Sequence, residues 1–421
     1  PTGEVVTLEN GLLCVRPKGR PAGEPRGVPT TMLEGDFAVH VYLDEVVTAN
    51  RALIEMGLGM GVAQAGQQMP GNLAGLTNAL PNLILTALDG AQSFDYALTW
   101  DSGTVYNEGL LRAKPDSALS KFFARAGAPG ANPLIGYLPT DAMVVVDFIA
   151  NPDWPGREIM DFAKKALGDE MGAVVGQMVS FSSVMWDSMA GRNAMSFSMK
   201  GMLGTQLIQI MELKEGVDAK TLFENFKIEK MNDAFLKMGV PMSYKFDRAI
   251  DKHGETELHR LTMQSQDPQL AMMAGMSGSY MCAEGGNIFM VMGPTAASDL
   301  KDLLDRVRAG QKVEHPHEIA LARFGRTHNF GISFNLGGFK GMAPMLMMFA
   351  PDMAPVLEKI PDELYITSSY SIVDGNLHWK GDLPVAKLAE IGAAIEAAMP
   401  QQGGGDQPGD EAAPPPDEDF D

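Results

Sequence analysis

His315-Pro316-His317-Glu318 is the densest run of metal-ligating and proton-carrying side chains in the sequence, two imidazoles with a carboxylate beside them. Zinc and copper sites use such residues, but they need three or four convergent ligands at suitable spacing. The Pro316 kink, flanked by Lys312 and Glu314, predicts a solvated loop instead. His253 and His259 bracket Gly254, a turn residue after Asp251-Lys252, and are expected on opposing strands of a hairpin at the surface.

Methionine stands out, with 30 residues. Clusters fall at Met272, Met273, Met276 and Met281, the last beside Cys282, and at Met342, Met345, Met347, Met348 and Met353. Thioethers and a thiolate are soft ligands that suit Cu(I). Met342, Met345, Leu346 and Phe349 nevertheless follow helical spacing among apolar neighbours, which predicts core packing. Another reading is an adaptable apolar pocket, because flexible thioethers re-pack around varied partners.

Nucleophile signatures are absent. The chain has no Gly-x-Ser-x-Gly elbow, and neither Cys14 nor Cys282 has a histidine close in sequence. Gly285-Gly286 and Gly337-Gly338 lack phosphate-loop spacing and read as turns or bulges. Asp153-Trp154-Pro155-Gly156 offers a flat indole that suits sugar stacking, but it reads better as the loop entering a helix at Arg157. Asp44-Glu45 and Asp169-Glu170 are expected as helix-end or surface charges. No catalytic, cofactor-binding or metal-binding residue is therefore assigned, and no cofactor is expected.

The elements that position these residues alternate along the chain. Glu4 to Leu8 and Leu12 to Val15 form a hairpin turned by Asn10-Gly11, and a Pro/Gly-rich connector follows from Pro17 to Pro29. Its Leu8-Glu9-Asn10-Gly11-Leu12 resembles the first strand of pitrilysin-type metallopeptidases, but no His-x-x-Glu-His is present, so that likeness is set aside. Ser93 to Trp100 and Thr104 to Arg112 flank Asp101-Ser102-Gly103, and a helix follows with Leu119, Phe122, Phe123 and Ala126 on one face. The same helical spacing recurs at Ala219, Leu222, Phe223 and Phe226 after Thr205 to Leu213. It recurs again at Leu300, Leu303, Leu304 and Val307 after Asn287 to Met292. A fourth case, Leu388, Ile391, Gly392 and Ile395, follows strands around Asp374-Gly375, where Gly375 and Gly381 repeat the spacing of Gly103 and Gly109.

Alternating strands also precede longer helices. Phe37 to Leu43 precedes Val47 to Met60, Ala142 to Phe148 precedes Arg157 to Leu167, and Phe330 to Leu336 precedes a helix starting near Met342. The expected fold is α+β, with antiparallel sheets covered by helices on one face, in two or three repeated strand-helix-ribbon-helix modules. The boundaries are a hairpin and connector at 1–30, modules at 31–130, 131–311 and a partial third at 312–400, and a disordered acidic tail at 401–421.

Charge narrows the partners. The net charge of −20 disfavours nucleic acid and anionic lipid, and the acidic excess survives removal of the tail. No apolar run approaches the roughly 18 residues of a membrane span. The two cysteines make no disulfide framework, and whether Cys14 meets Cys282 is open. The chain begins at Pro1, which leaves open whether a segment was removed.

Leu138-Pro139-Thr140-Asp141-Ala142 leading into a β-branched strand, and Ile288 to Gly293 running into the helix at Asp299-Leu300, resemble a loose group of uncharacterised bacterial cell-envelope proteins. The likeness spans Phe94 to Met399 and implies a periplasmic or extracellular location without catalytic apparatus. The expectation is a non-enzymatic protein that binds an apolar small molecule, a lipid or a protein partner, itself included. A hydrolase with a site assembled from distant residues, and a Cu(I)-binding role, are the alternatives.

Overall fold

The computed structural model describes residues 4–9, 12–17, 33–66, 74–152, 154, 187–199, 204–226, 228–237, 242–265, 278–343, 357 and 359–398. The N-terminal hairpin pairs β1 (Glu4–Glu9) with β2 (Leu12–Pro17) as a sheet of its own. A strand, two helices and a ribbon follow: β3 (Phe37–Val41), α1 (Leu43–Gly66), α2 (Ala74–Gly90), β4 (Ala91–Asp101) and β5 (Thr104–Ala113). A short helix α3 (Ala118–Ala124) closes this stretch. Next come β6 (Val144–Ile149), β7 (Met189–Met199), β8 (Thr205–Leu213), α4 (Ala219–Glu224) and α5 (Ile228–Lys237). The hairpin β9 (Met242–His253) and β10 (Thr256–Ser265) leads to β11 (Ser279–Glu284) and β12 (Asn287–Met292). Helices α6 (Ala296–Arg308) and α7 (Pro316–Ala322) come before β13 (Phe330–Asn335), and β14 (Tyr365–Val373), β15 (Asn376–Leu383) and α8 (Val385–Ala398) follow.

Among the described residues, thirteen strands form one sheet in the order β3-β4-β5-β15-β14-β13-β6-β7-β8-β12-β11-β10-β9, antiparallel at every step recorded. Separate sheets for separate modules are thus replaced by a single one. Tight turns explain its ribbons. Ser102-Gly103 and Asp374-Gly375 take positive φ at both central positions (49° and 83°; 51° and 72°), the twist that suits a two-residue hairpin. Gly285 and Gly286 do the same between β11 and β12, as turn residues.

Helices lie on both faces of the sheet rather than one. Ile208 and Ile210 pair with Val291 and Phe289, and these side chains pack under Leu300, Leu303 and Leu304 of α6. Met211 and Ile288, one residue along and therefore on the opposite face, pack against Leu222 and Phe223 of α4. Strand β8 alternates over Ile208-Gln209-Ile210 and then buries Ile210 and Met211 in succession, where both faces are covered. Among the described residues no helix is long and apolar enough to cross a membrane.

Candidate functional site

Registers carry side-chain orientation across the sheet, because paired residues in antiparallel strands point the same way. On one face, three aspartates are enclosed: Asp95 on β4, Asp147 on β6 and Asp382 on β15. Ser196, Ser333, Thr367 and Ser369 are buried with them. A buried carboxylate persists only with partners, and each has them. Asp95 accepts from His40 and Arg112. Asp382 accepts from Arg323, from the Thr367 hydroxyl, and from the Thr367 amide at 2.8 Å.

The Asp147 cluster gathers distant parts of the chain. His317 Nε2 donates to Oδ1 at 3.2 Å and His328 Nε2 donates to Oδ2 at 2.5 Å. With its Nε2–H so engaged, His317 accepts the Ser333 hydroxyl at Nδ1, 2.5 Å away. Burial alone would raise the Asp147 carboxyl, but the hydrogen bonds from His317 and His328 outweigh it and hold the group below its usual 3.8. Gly331 is required here, since a Cβ on it would lie 2.2 Å from Asp147 Oδ1 and 2.7 Å from Leu321 Cδ1.

His315 and His317 are not on a solvated loop. His315 is the N-cap of α7, its Nδ1 accepting from the His317 amide at 3.1 Å while Nε2 donates to the Pro139 carbonyl at 2.9 Å. Burial pushes its pKa down, only partly offset by the bond to Pro139. Pro316 opens the helix instead of breaking it, as proline at the first helical position does. His253 and His259 do face opposite strands of the β9–β10 hairpin, but only His253 is near solvent, bonded to Asp305 at 2.7 Å. His259 is buried against Phe223, ring centroids 4.2 Å apart, and accepts the Ala249 amide.

Other sequence candidates settle into the fold. Cys282 is a free thiol in the core, and burial first, then the nearby Glu284 charge, pushes it up to about 12. Met281 is buried against the α4 side of the sheet. Met272, Met273, Met276, Met345, Met347, Met348 and Met353 lie outside the described residues, as do Asp169-Glu170 and the helix expected from Arg157 to Leu167. Trp154 anchors its loop, donating from the indole N–H to Phe122 O at 2.9 Å and stacking on Phe148 at 6.1 Å. Asp44 and Glu45 start α1. Among the described residues no set of three or more His, Cys, Asp or Glu side chains is placed to hold a metal ion.

The opposite face carries a feature that no local motif announces. One transverse row runs Tyr96, Gly109, Trp379, Tyr370, Phe330, Phe148, strand by strand from β4 to β6. Its aromatic members are all half-buried. Phe330 and Tyr370 centroids are 5.6 Å apart, and Phe94 packs against Trp379 at 5.2 Å. Trp379 lies flat across Gly109, where a Cβ would come within 1.8 Å of the indole. Asn193 extends the row next to Phe148, and its Oδ1 is buried without a hydrogen-bond partner. On the polar face, a recess of about 190 Å³ is lined by Glu34, Tyr106, Glu108, Arg323, Phe324 and Lys380 among others.

No protein-family model matches the chain. No curated protein matches it either. Two solved structures of TP0453, in crystal forms I and IV, are similar over 64% and 62% of this chain and 98% and 96% of theirs, at 9% and 10% identity. The TM-scores are 0.23 and 0.24.

Two arrangements thus compete for chemistry. The Ser333–His317–Asp147 contact puts a hydroxyl beside a base and a carboxylate, but all three side chains are enclosed. The aromatic row offers partly exposed apolar surface.

Proposed function

We propose that the protein is a non-enzymatic binder of an apolar ligand, which lies along the aromatic face between β4 and β7. The half-buried row from Tyr96 to Phe148 carries this reading. Aromatic side chains on a continuous sheet face supply wide contact area at low conformational-entropy cost. Native mass spectrometry and organic extraction of the purified protein test this. A bound apolar species that is lost in Trp379→Ala and Phe330→Ala is expected, and ligand-free protein that takes up no acyl or sterol probe sinks it.

A second reading, a hydrolase, rests on Ser333, His317 and Asp147. Its difficulty is physical, because an acyl group must reach Oγ and that oxygen sits in the core. Ser333-dependent labelling by a fluorophosphonate probe would promote this reading, and no labelling is expected.

Repeated modules are part of the proposal. The strand groups β3–β5, β6–β8 and β13–β15 each run strand, connection, ribbon, within the segments 31–130, 131–311 and 312–400. The matching glycine spacing of the first and last ribbons supports joined copies of one pattern. A place outside the cytoplasm is proposed from the sequence resemblance, and protease accessibility in spheroplasts tests it.

A further inference from the structure

The two edges of the large sheet are treated differently. At β9, Asn232 donates to the Tyr244 carbonyl and accepts the Tyr244 amide, both at 2.7 Å, so a side chain occupies the edge as a strand would. Lys245, Arg248 and Lys252 add charge along the same strand. Such charges and clips are how sheets resist pairing with other chains. The β3 edge, Phe37-Ala38-Val39-His40-Val41, carries no Lys, Arg, Asp, Glu or Pro, and its His40 is turned inward to Asp95.

Exposed apolar side chains concentrate at this end. Of the 14 large apolar residues exposed among the described residues, Phe37, Val46, Leu53, Met56, Met60 and Trp100 lie on β3, α1 and β4. On α1, Val47 is buried and Ile54 and Leu58 half-buried, which is the side packed on the body. Helix α1 is broken at Asn50 (φ −118°, ψ 15°), and beyond the break Leu53, Met56 and Met60, three and four residues apart, share another side. Exposed fractions of 50% at Phe37, 61% at Leu53 and 68% at Met60 belong to a surface that leaves on the order of 600 Å² of apolar side chain uncovered, against about 800 Å² per partner in a standard interface.

From this we infer that the β3 edge and the exposed α1 stripe are the interface of a two-fold dimer of this chain. Antiparallel pairing about Val39 sets Phe37 opposite Val41 of the second copy and opposes no charges. It repeats the kind of join already present between β6 and β13, two antiparallel strands far apart in sequence. Val39 pairs with Tyr96, the first aromatic of the row, so the join also runs the apolar floors of two copies into one. A membrane is the less suited occupant. Helix α1 carries Asp44, Glu45 and Glu55 against one base, Arg51, which is held by Glu55 and Asp89.

Sedimentation velocity on the full, ligand-stripped chain tests the inference, so that its failure is separable from failure of ligand binding. A dimer is expected at about 100 µM, well above the micromolar Kd that a modest interface supports. Leu53→Lys with Met56→Glu, both exposed, should shift it to monomer while keeping the thermal midpoint of dilute, monomeric wild type. Phe37→Lys should do the same, and it decides the matter if the double variant misfolds. A wild-type monomer at that concentration overturns the inference, as does a dimer indifferent to both variants. Monomer that floats with phosphatidylcholine–phosphatidylglycerol vesicles, and loses that property in the double variant, overturns it in favour of a lipid surface.

Discussion

Glu108 and Lys380 face one another across the seam between β5 and β15, carboxylate to ammonium at 3.1 Å. Each stands five residues beyond its own turn glycine, Gly103 or Gly375, so the first and last ribbons meet about this pair in the same register from either side. Glu108 is about one third exposed and Lys380 more, so the ion pair itself contributes little, within the ~0–1 kcal/mol typical of surface pairs. What it marks is the geometric centre of a symmetric join.

That symmetry sharpens what the glycines do. Gly109→Ala would drive a methyl into the Trp379 indole, displacing the ring from the aromatic row. Overpacking of this kind costs roughly 1–3 kcal/mol. Urea denaturation should show that loss, and tryptophan emission should shift red as the indole lifts into water. An unchanged spectrum would mean that Trp379 does not lie on Gly109.

Asp147→Ala should be among the most damaging single changes in the chain. It leaves two buried imidazoles without an acceptor, a loss of about 3–5 kcal/mol by analogy with broken buried pairs. Soluble expression and thermal midpoint report it. Ser333→Ala removes only one hydroxyl bond and should cost about 1 kcal/mol.

Acid should destabilise the fold in two stages. The His315 pKa is lowered in the folded state by burial, so below the unfolded value of 6.5 the unfolded chain binds more protons and stability falls with pH. His259 and His378, lowered by burial as well, act in the same direction. Asp147 adds a second loss below 3.8, where its carboxylate protonates in the unfolded state first. Differential scanning fluorimetry from pH 8 to pH 3 should show midpoints flat at the alkaline end and descending through both windows. His315→Asn, which can still cap α7, should make the upper descent shallower, His259 and His378 supplying the rest, whereas His315→Ala should also lose about 1 kcal/mol at neutral pH.

Cys282 should be silent toward iodoacetamide in the native protein and react once the chain is unfolded. Its thiol is buried and pushed up to about 12, so almost no thiolate exists at neutral pH. Labelling of Cys282 in native protein, read by peptide mass spectrometry, would contradict the packing of β11.

Asn232→Ala should raise aggregation. It strips the β9 edge of its clip and frees the Tyr244 amide and carbonyl. Light scattering on heating is the measurement.

The sequence announced local structure well where one residue type decides it. Asp101-Ser102-Gly103 and Asp374-Gly375 are the turns their types demand, and Leu300, Leu303 and Leu304 bury the face of α6 that their spacing assigns. Order within the sheet was not legible, because pairing β5 with β15 rather than β6 is decided by contacts between residues such as Asn107 and Gly381, far apart in the chain. The Asp147 cluster was hidden for the same reason, since its histidines come from α7 and the loop before β13. A signal did exist. Asp147 sits at an inward position of an alternating strand, where an acid is unstable without a partner, and Gly331 interrupts another. The error at His315 came from reading proline as a kink when it stood at a helix start.

Strand order also has a consequence for synthesis. The ribbon and strand made last, β13 to β15, are inserted in the middle of the sheet, between β5 and β6. Until the C-terminal quarter leaves the ribosome, the product consists of two half-sheets with unsatisfied inner borders. Such borders are sticky, and long-range closure is slow. A chain cut off before β13 would therefore lack its keystone rather than its last stone, and β15 must emerge before the two halves can become one body.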